Sequence, residues 1–188
     1  MDYHSSHNPL THGEHKKMSL EDGYHLCWRL ANVADLTTIN RIGDEIHVDL
    51  PERPEVFEEK FRLFPRGCLV LCQSETIVGY GFSHPWCLYS VPPLDTFLGR
   101  LPSFADCMFI HDVVVLAVAR GHGAAGEFVE RTVAVAREQG MSSLALVSVY
   151  NTHPLWARCG FEVVLDLRLK EKLKSYGQSA RYMIRRLP

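Results

Sequence analysis

Apolar residues recur along this chain with two periods, and the switches between them mark out its elements. Residues 24–30 (Tyr24, His25, Leu26, Cys27, Trp28, Arg29, Leu30) alternate as a half-buried strand does. Asn32 or Asp35 can then cap a helix running to about Glu45, with Leu36, Ile39, Ile42 and Ile46 on one face. Residues 51–64 read as a second helix, acidic early and carrying Lys60 and Arg62 late, as the helix dipole favours. Two apolar runs, 68–73 and 77–82, flank the polar turn Ser74-Glu75-Thr76 and predict a hairpin. Residues 83–106 hold Pro85, Pro92, Pro93 and Pro102 and predict an irregular insertion, a length that inside a compact domain marks a functional loop or a lid. Strands are expected at 108–116 and 143–150, on either side of a helix over 121–139 closed by Gly140. A short helix over 153–159 stops at Gly160, and strands over 162–169 and 180–187 end the chain. The order β-α-α-β-β-β-α-β-α-β-β joins antiparallel hairpins to one βαβ crossover, which predicts an α+β (mixed α/β) domain.

Residues 1–22 are rich in His, Ser and Lys and have no apolar period, so they read as a disordered tail ahead of a single domain over 23–188. His4, His7, His12 and His15 fall in that tail and read as solvated rather than as a metal site. Composition narrows the field further: 46% hydrophobic and 22% charged residues describe a globular protein. A net charge of -2 offers no basic field for nucleic acid. No apolar run approaches the ~20 residues of a membrane helix, and no apolar h-region of a secretory signal appears, so the expected location is cytoplasmic. Six cysteines occur without a CxxC pair, which fits free thiols in a reducing compartment and supports neither a zinc ribbon nor a thioredoxin motif.

The candidate chemistry concentrates after residue 112. The apolar β-branched run Val113-Val114-Val115-Leu116 feeds a loop of small residues, Arg120-Gly121-His122-Gly123-Ala124-Ala125-Gly126, and an amphipathic helix follows at once. A strand that turns through glycines into a helix leaves backbone N–H groups unpaired and aimed at one point, where the helix dipole adds positive charge. That is an anion site of the kind phosphates occupy.

In Arg120, Gly123 and Ala125 the loop resembles the Arg/Gln-x-x-Gly-x-Gly/Ala signature of the GNAT superfamily of acyl-CoA-dependent N-acyltransferases. Ala117 stands where the family usually has proline, with the spacing to Arg120 kept. Downstream, Leu155-Trp156-Ala157-Arg158-Cys159-Gly160-Phe161 resembles the family's Phe-Tyr-x-x-x-Gly-Phe segment. The resemblance spans residues 24–187. It implies a central, mostly antiparallel twisted sheet of about seven strands flanked by about four helices. It implies acetyl-CoA or another acyl-CoA as donor and no metal. The implied donor site comprises Val113, Val114, Val115, Arg120, Gly121, His122, Gly123, Ala124, Ala125, Asn151 and Trp156. The N–H groups of residues 121–125 would hold the pyrophosphate, and the backbone of Val113 and Val115 would pair with the pantetheine arm. The family's fourth and fifth strands splay near the thioester, which would leave a free N–H near Val115.

Amine acylation by direct attack needs a base, a donor to the developing oxyanion and help for the leaving thiolate. His111 and Asp112 interrupt an otherwise apolar strand just ahead of the loop. Adjacent strand residues face opposite sides, so one of the two is expected in the cleft. A histidine holds the place of His111 in the arylalkylamine N-acetyltransferases, which this segment resembles, and serves there in proton removal. His111, Asp112 and a water chain all remain open as the base. The family's tyrosine is Trp156 here, and an indole N–H cannot deliver a proton at ordinary pH. The thiolate leaves unassisted, or Tyr150, Ser148 or Cys159 donates. The acceptor site is expected from the first two helices and the insertion, which carries Trp86, Tyr89, Phe97 and Phe104. Those aromatics suit an apolar amine or simply pack a lid. Asp44, Glu45, Asp49 and Glu52 are acidic residues that could draw an amine. The expected function is acetyl transfer to the primary amine of a small molecule. Transfer to a protein N-terminus or lysine, and a non-catalytic acyl-CoA-binding module, are the alternatives. A monomer or a homodimer fits equally.

Overall fold

The computed structural model describes residues 25–188, so the expected tail over residues 1–22 lies outside the described residues. Seven strands form one sheet in the order β1-β2-β3-β4-β5-β7-β6. They are β1 (Leu26–Leu30), β2 (Cys68–Gln73), β3 (Thr76–Trp86), β4 (Cys107–Val115), β5 (Ser143–Ser148), β6 (Glu162–Val163) and β7 (Arg181–Arg186). The helices are α1 (Leu36–Ile46), α2 (Pro54–Leu63), α3 (Ala124–Glu138), α4 (His153–Arg158) and α5 (Lys170–Lys174). Among the described residues every strand pairing is antiparallel except β4 with β5. None of the helices among the described residues is long and apolar enough to cross a membrane.

Local chemistry sets the helix starts. The Asn32 side chain accepts from Ala34 N–H, and the Asp35 carboxylate accepts from Asn32 N–H at 2.8 Å, a capping box that opens a short 3-10 turn ahead of α1. Pro54 holds the first turn of α2, where its missing N–H costs nothing, and Arg53 before it is extended (φ -64°, ψ 147°). The second helix therefore starts at Pro54, three residues later than the sequence pattern predicts.

Both faces of the sheet are covered. On one, Phe128, Val129, Val133 and Ala136 of α3 pack on Met108, Ile110, Leu144 and Leu146, with Trp28 and Trp156 in the same cluster. On the other, Leu36, Ile39 and Ile42 of α1 and Phe57 of α2 pack on Val70, Tyr80, Phe82 and Val114. The β5–β7 half of that second face is covered by Val91 from the 87–106 segment and by Leu169 and Tyr176 from the long β6–β7 connection. All six cysteines are free.

Three expectations change. The strand expected to stop at Phe82 runs on to Trp86, through Pro85, and pairs with β4 up to Trp86 opposite Cys107. β2 ends its pairing at Cys68 opposite Phe82, so Pro85 sits where β3 has an open edge and a missing N–H breaks no ladder. The strand expected over 162–169 shrinks to two residues, because Asp166 accepts from Arg168 N–H and starts a 3-10 turn leading into α5. That makes a fifth, short helix where about four are expected.

α3 lies close on the sheet because Gly81 has no side chain: a Cβ there would stand 2.2 Å from the Phe128 ring. Gly81→Ala therefore overpacks this contact and lowers stability by about 1–3 kcal/mol. Urea denaturation measures this, and an unchanged midpoint would mean that α3 is not held at this point.

Candidate active site

Beyond Ile110 and Leu146 the parallel pair comes apart. β5 continues beside β7, with Val147 opposite Tyr182 and Ser148 opposite Arg181, while Asp112 to Val115 keep partners on β3. Leu116 N–H reaches the Val78 carbonyl. Alternation along an antiparallel ladder then turns the polar backbone groups of Asp112 and Val114 toward β3 and those of Val113 and Val115 into the gap. A cleft of about 950 Å³ occupies this gap and runs from the start of α3 to the α1–α2 connection.

One end of the cleft is built to hold an anion. Gly121 (φ 83°) and Gly123 (φ 78°) take left-handed backbone, which favours glycine. No side chain caps α3. Its first intrahelical donor is Glu127 N–H on the Gly123 carbonyl, so the N–H groups of Ala124, Ala125 and Gly126 find no partner within the helix. A Cβ added at Gly121, Gly123 or Gly126 meets no atom within 4 Å. Open space, unpaired donors and the helix dipole together suit an anion of the phosphate kind. Arg120 folds back, its Nε donating to the Val115 carbonyl at 2.8 Å. Trp28 Nε1 donates to the Ala124 carbonyl at 2.9 Å and pins the loop to β1.

At the other end, one inserted residue decides the chemistry. Phe82 faces Asp112 and Ser83 faces Ile110, which leaves His111 as a bulge in β4. A regular strand would send His111 and Asp112 to opposite faces. The bulge resets the phase: Met108 and Ile110 before it, and Val113 and Val115 after it, pack on the α3 side. His111 packs edge-on against Phe57 of α2 at 6.4 Å. Asp112 reaches Tyr80, which is itself edge-on to Phe57. Both side chains thus stand on the α1–α2 side, and both line the cleft.

Each is tied to a partner from the α1–α2 connection. His111 Nε2 lies 2.6 Å from Glu52 Oε2, with side-chain exposures of 4% and 7%. Burial alone would raise the Glu52 carboxyl, but His111, then Lys60 and the Asp95 N–H, bring it down to about 2. An ionised carboxylate only accepts, so the hydrogen of this bond is on Nε2. Asp112 is engaged at both oxygens, by the Tyr80 hydroxyl at 2.6 Å and His47 Nε2 at 2.9 Å. Burial pulls the His47 imidazole down, yet the hydrogen bond and charge of Asp112 and the charge of Glu52 outweigh it and leave it raised. Tyr150 stacks on His47 at 5.8 Å. Tyr150 (φ 52°) and Asn151 (φ 59°) are consecutive left-handed residues, a strained turn at the cleft wall. Burial, then Asp49 and Asp112, push the Tyr150 phenol up.

Two irregular segments meet beside the His111 end of the cleft. The Tyr176 hydroxyl donates to the Pro92 carbonyl at 2.5 Å, and Tyr89 N–H donates to the Tyr182 hydroxyl at 2.9 Å. These bonds knit the 87–106 segment to the β6–β7 connection and to β7. Leu94 and Tyr176 line the cleft beneath them.

Of the residues singled out in the sequence, His111, Asp112, Tyr150, Val113, Val114, Val115, Arg120, Gly121, Gly123, Ala124, Ala125 and Trp156 all line one cleft. His122 and Asn151 are not among its lining residues. His122 Nδ1 faces the Arg120 carbonyl instead, and Asn151 is exposed. Trp156 is 8% exposed, packs on Phe161 and gives its N–H to Thr152 Oγ1. Ser148 is bound to the same Thr152 hydroxyl. Cys159 lies outside the cleft lining, and burial raises its thiol, which makes it a poor nucleophile. The insertion contributes Leu94 rather than its aromatics: Phe97 lies under Arg53, Tyr89 under Arg168, and Phe104 is exposed. Of the four acidic residues, Glu45 and Glu52 line the cleft. Among the described residues no group of three or more His, Cys, Asp or Glu could hold a metal ion. His47 and Tyr80 carry no sequence signal of their own. They matter through Asp112, which is 65 and 32 positions away in the chain.

Gly126 has no left-handed backbone to strain and nothing near its missing side chain. Gly126→Val is expected to keep the wild-type melting temperature while weakening coenzyme A binding by at least tenfold, read by calorimetry. Equal affinity in the variant would move the pyrophosphate away from α3.

Residues 32–161 match the family model described as the Acetyltransferase (GNAT) family. No curated relative matches the sequence. Among solved structures it is similar to Ard1 from Thermoplasma volcanium, at 17% identity and a TM-score of 0.66 over 87% of this chain and 98% of that one. It is also similar to N-acetylglutamate synthase from Neisseria gonorrhoeae, crystallised with coenzyme A and N-acetyl-glutamate. That match has 20% identity and a TM-score of 0.65 over 87% of this chain and 35% of that one. Naa50 from Arabidopsis thaliana, in complex with a bisubstrate analogue, matches at 13% identity and a TM-score of 0.60, over 85% and 96% of the two chains. At these identities the likeness speaks for the fold, and the family match over most of the chain speaks for descent: this protein belongs to the acetyltransferase (GNAT) family and is an acyl-CoA-dependent acetyltransferase.

Proposed function

We propose that the protein transfers the acetyl group of acetyl-CoA to the primary amine of a small molecule, by direct attack in a ternary complex. The observation that carries this reading is the His111–Glu52 pair at the point where β4 and β5 part. Acetyl-CoA supplies an activated thioester. Its pyrophosphate fits the N–H groups of Ala124, Ala125 and Gly126, and the backbone of Val113 with the N–H of Val115 faces the gap where the pantetheine arm would pair, the Val115 carbonyl being held by Arg120.

The amine arrives as an ammonium and must lose a proton. His111 Nδ1 takes it, and the Glu52 carboxylate stabilises the imidazolium that forms, by the same logic as a carboxylate-oriented histidine in a hydrolase triad. Asp112 supports the site without acting as base, since both oxygens already accept hydrogen bonds. Tyr150 is the proton donor this cleft offers to a departing thiolate, because its raised phenol stays protonated through the neutral range. It takes the part that Trp156, with its N–H spent on Thr152, cannot.

The seam between the 87–106 segment and the β6–β7 connection favours a compact substrate over a polypeptide. A peptide would have to pass the seam held by Tyr176 and Pro92. Leu50, Phe57, Leu94 and Tyr176 supply apolar wall beside His47, Glu52, His111 and Asp112, which suits an amine on an apolar body.

Two measurements test this reading. His111→Ala is expected to lower kcat by about 10²–10⁴-fold with coenzyme A affinity unchanged, and a wild-type rate would remove His111 from the mechanism. Thiol release from acetyl-CoA is expected to rise above hydrolysis with small apolar amines and not with peptides bearing free N-termini or lysines. The reverse ranking would replace the small-molecule acceptor with a protein, and no stimulation by either would leave a binding module.

A further inference from the structure

Lys60 lies on the inner face of α2 and is 2% exposed. Its ammonium has no hydrogen-bond partner among the described residues. The nearest carboxylate oxygen is Glu52 Oε1 at 3.8 Å, and the other oxygen of that same carboxylate holds His111 at 2.6 Å. Glu52 Oε1 also accepts from Asp95 N–H at 3.0 Å. The carboxylate is therefore shared between a base on one side and a buried cation on the other. Lys60 is not among the residues lining the cleft, so it acts through Glu52 and not on the substrate.

Burying an ammonium with no hydrogen bond is unfavourable, and an apolar side chain of the same length commonly serves stability as well or better. The cation thus calls for a role other than holding the fold together. A base that works once per turnover must both take the proton and give it up. Glu52 alone, buried against His111, would hold the imidazolium too firmly for the second half of that cycle. A positive charge on the far oxygen weakens the hold.

We propose that Lys60 is a positioning residue of the catalytic base, one that fixes Glu52 and shares its charge so that His111 sheds its proton between turnovers near neutral pH. This rests on the reading of His111 as the base. The other groups around His111 do not duplicate the effect. His84 of β3, with ring centroids 6.1 Å away, is kept neutral, because burial and then His111 lower it to about 3. Asp112 is bound by Tyr80 and His47. Asp95 is paired with Arg53, and Glu59 accepts from the N–H groups of Leu98 and Gly99. Tyr176 on the β6–β7 connection is neutral, its phenol raised by burial. Burial also pulls the Lys60 ammonium down, with Glu52 and Glu59 opposing that pull.

The test is the pH dependence of kcat/KM for the acceptor in the full-length protein. Lys60→Met takes the cation away from Glu52 while the Asp95 N–H stays, so the imidazolium persists to higher pH. The acid limb is expected to move up by about one pH unit, with roughly tenfold loss below the limb and the alkaline plateau kept. Lys60→Arg is expected to restore the wild-type limb. Glu52→Gln removes the anion and is expected to move the limb the opposite way, with a lowered plateau. Lys60→Gln serves if Lys60→Met does not fold, and predicts the same upward shift. An unmoved limb in a folded, charge-neutral Lys60 variant overturns the inference, as does a lowered plateau with an unmoved limb, which is what a packing defect gives. His111→Ala separates the two claims. If it keeps the wild-type rate, the base assignment fails whatever Lys60 does. If it is slow while neutral Lys60 variants track wild type, only the role of Lys60 fails.

Discussion

The parallel pair β4–β5 is hydrogen-bonded for only Met108 to Ile110 against Leu144 to Leu146, and the functional architecture depends on its stopping there. Two constraints enforce the separation. β5 is drawn away because Val147 and Ser148 pair with β7. β4 is bent by an extra residue, His111, directly after the last shared pair. A bulge increases local twist and re-aims side chains, and here it does both at one position. The opened gap exposes the backbone of Val113 and Val115. The phase change turns His111 and Asp112 to one side. Both features open onto a single cleft.

Electrostatics follow from that geometry. Two histidines and two carboxylates meet at the acceptor end, and each histidine holds one carboxylate: His111 with Glu52, His47 with Asp112. Neither carboxylate is left to serve as a free base. Glu52 is held ionised, and Asp112 is fixed between His47 and Tyr80. The opposite end carries donors without a side-chain acceptor, at the start of α3. The cleft is thus polarised along its length, with unpaired backbone N–H groups at one end and a carboxylate-backed imidazole at the other.

The sequence made much of this legible where signals are local. Arg120 to Gly126 combine small residues, a preceding apolar run and a following amphipathic helix, and the loop lies where that pattern placed it. The hairpin around Ser74 and Glu75 and the helix over 124–138 rest on the same kind of short-range evidence. What it hid depends on long-range pairing. Pro85 looked like a loop residue because the end of β2 at Cys68, which frees that edge of β3, is not a property of residues 83–86. His111 and Asp112 looked like alternatives because a bulge leaves no trace in a run of strand-forming residues. Glu52 looked like one acidic residue among several, since its partner lies 59 positions away. The aromatics of the insertion were the most misleading, because their composition suited a pocket that Leu94 and Tyr176 line instead.

The central claim is that coenzyme A lies along β4 in the gap left by β5. Residue-by-residue amide hydrogen exchange, with and without coenzyme A, tests it most directly. The account predicts an alternating response along the strand: Val113 and Val115 become protected, Ala124 to Gly126 become protected with them, and Asp112 and Val114, already bonded to β3, do not change. Binding of coenzyme A with no change at Val113 and Val115, or with new protection at Asp112 and Val114, would contradict it.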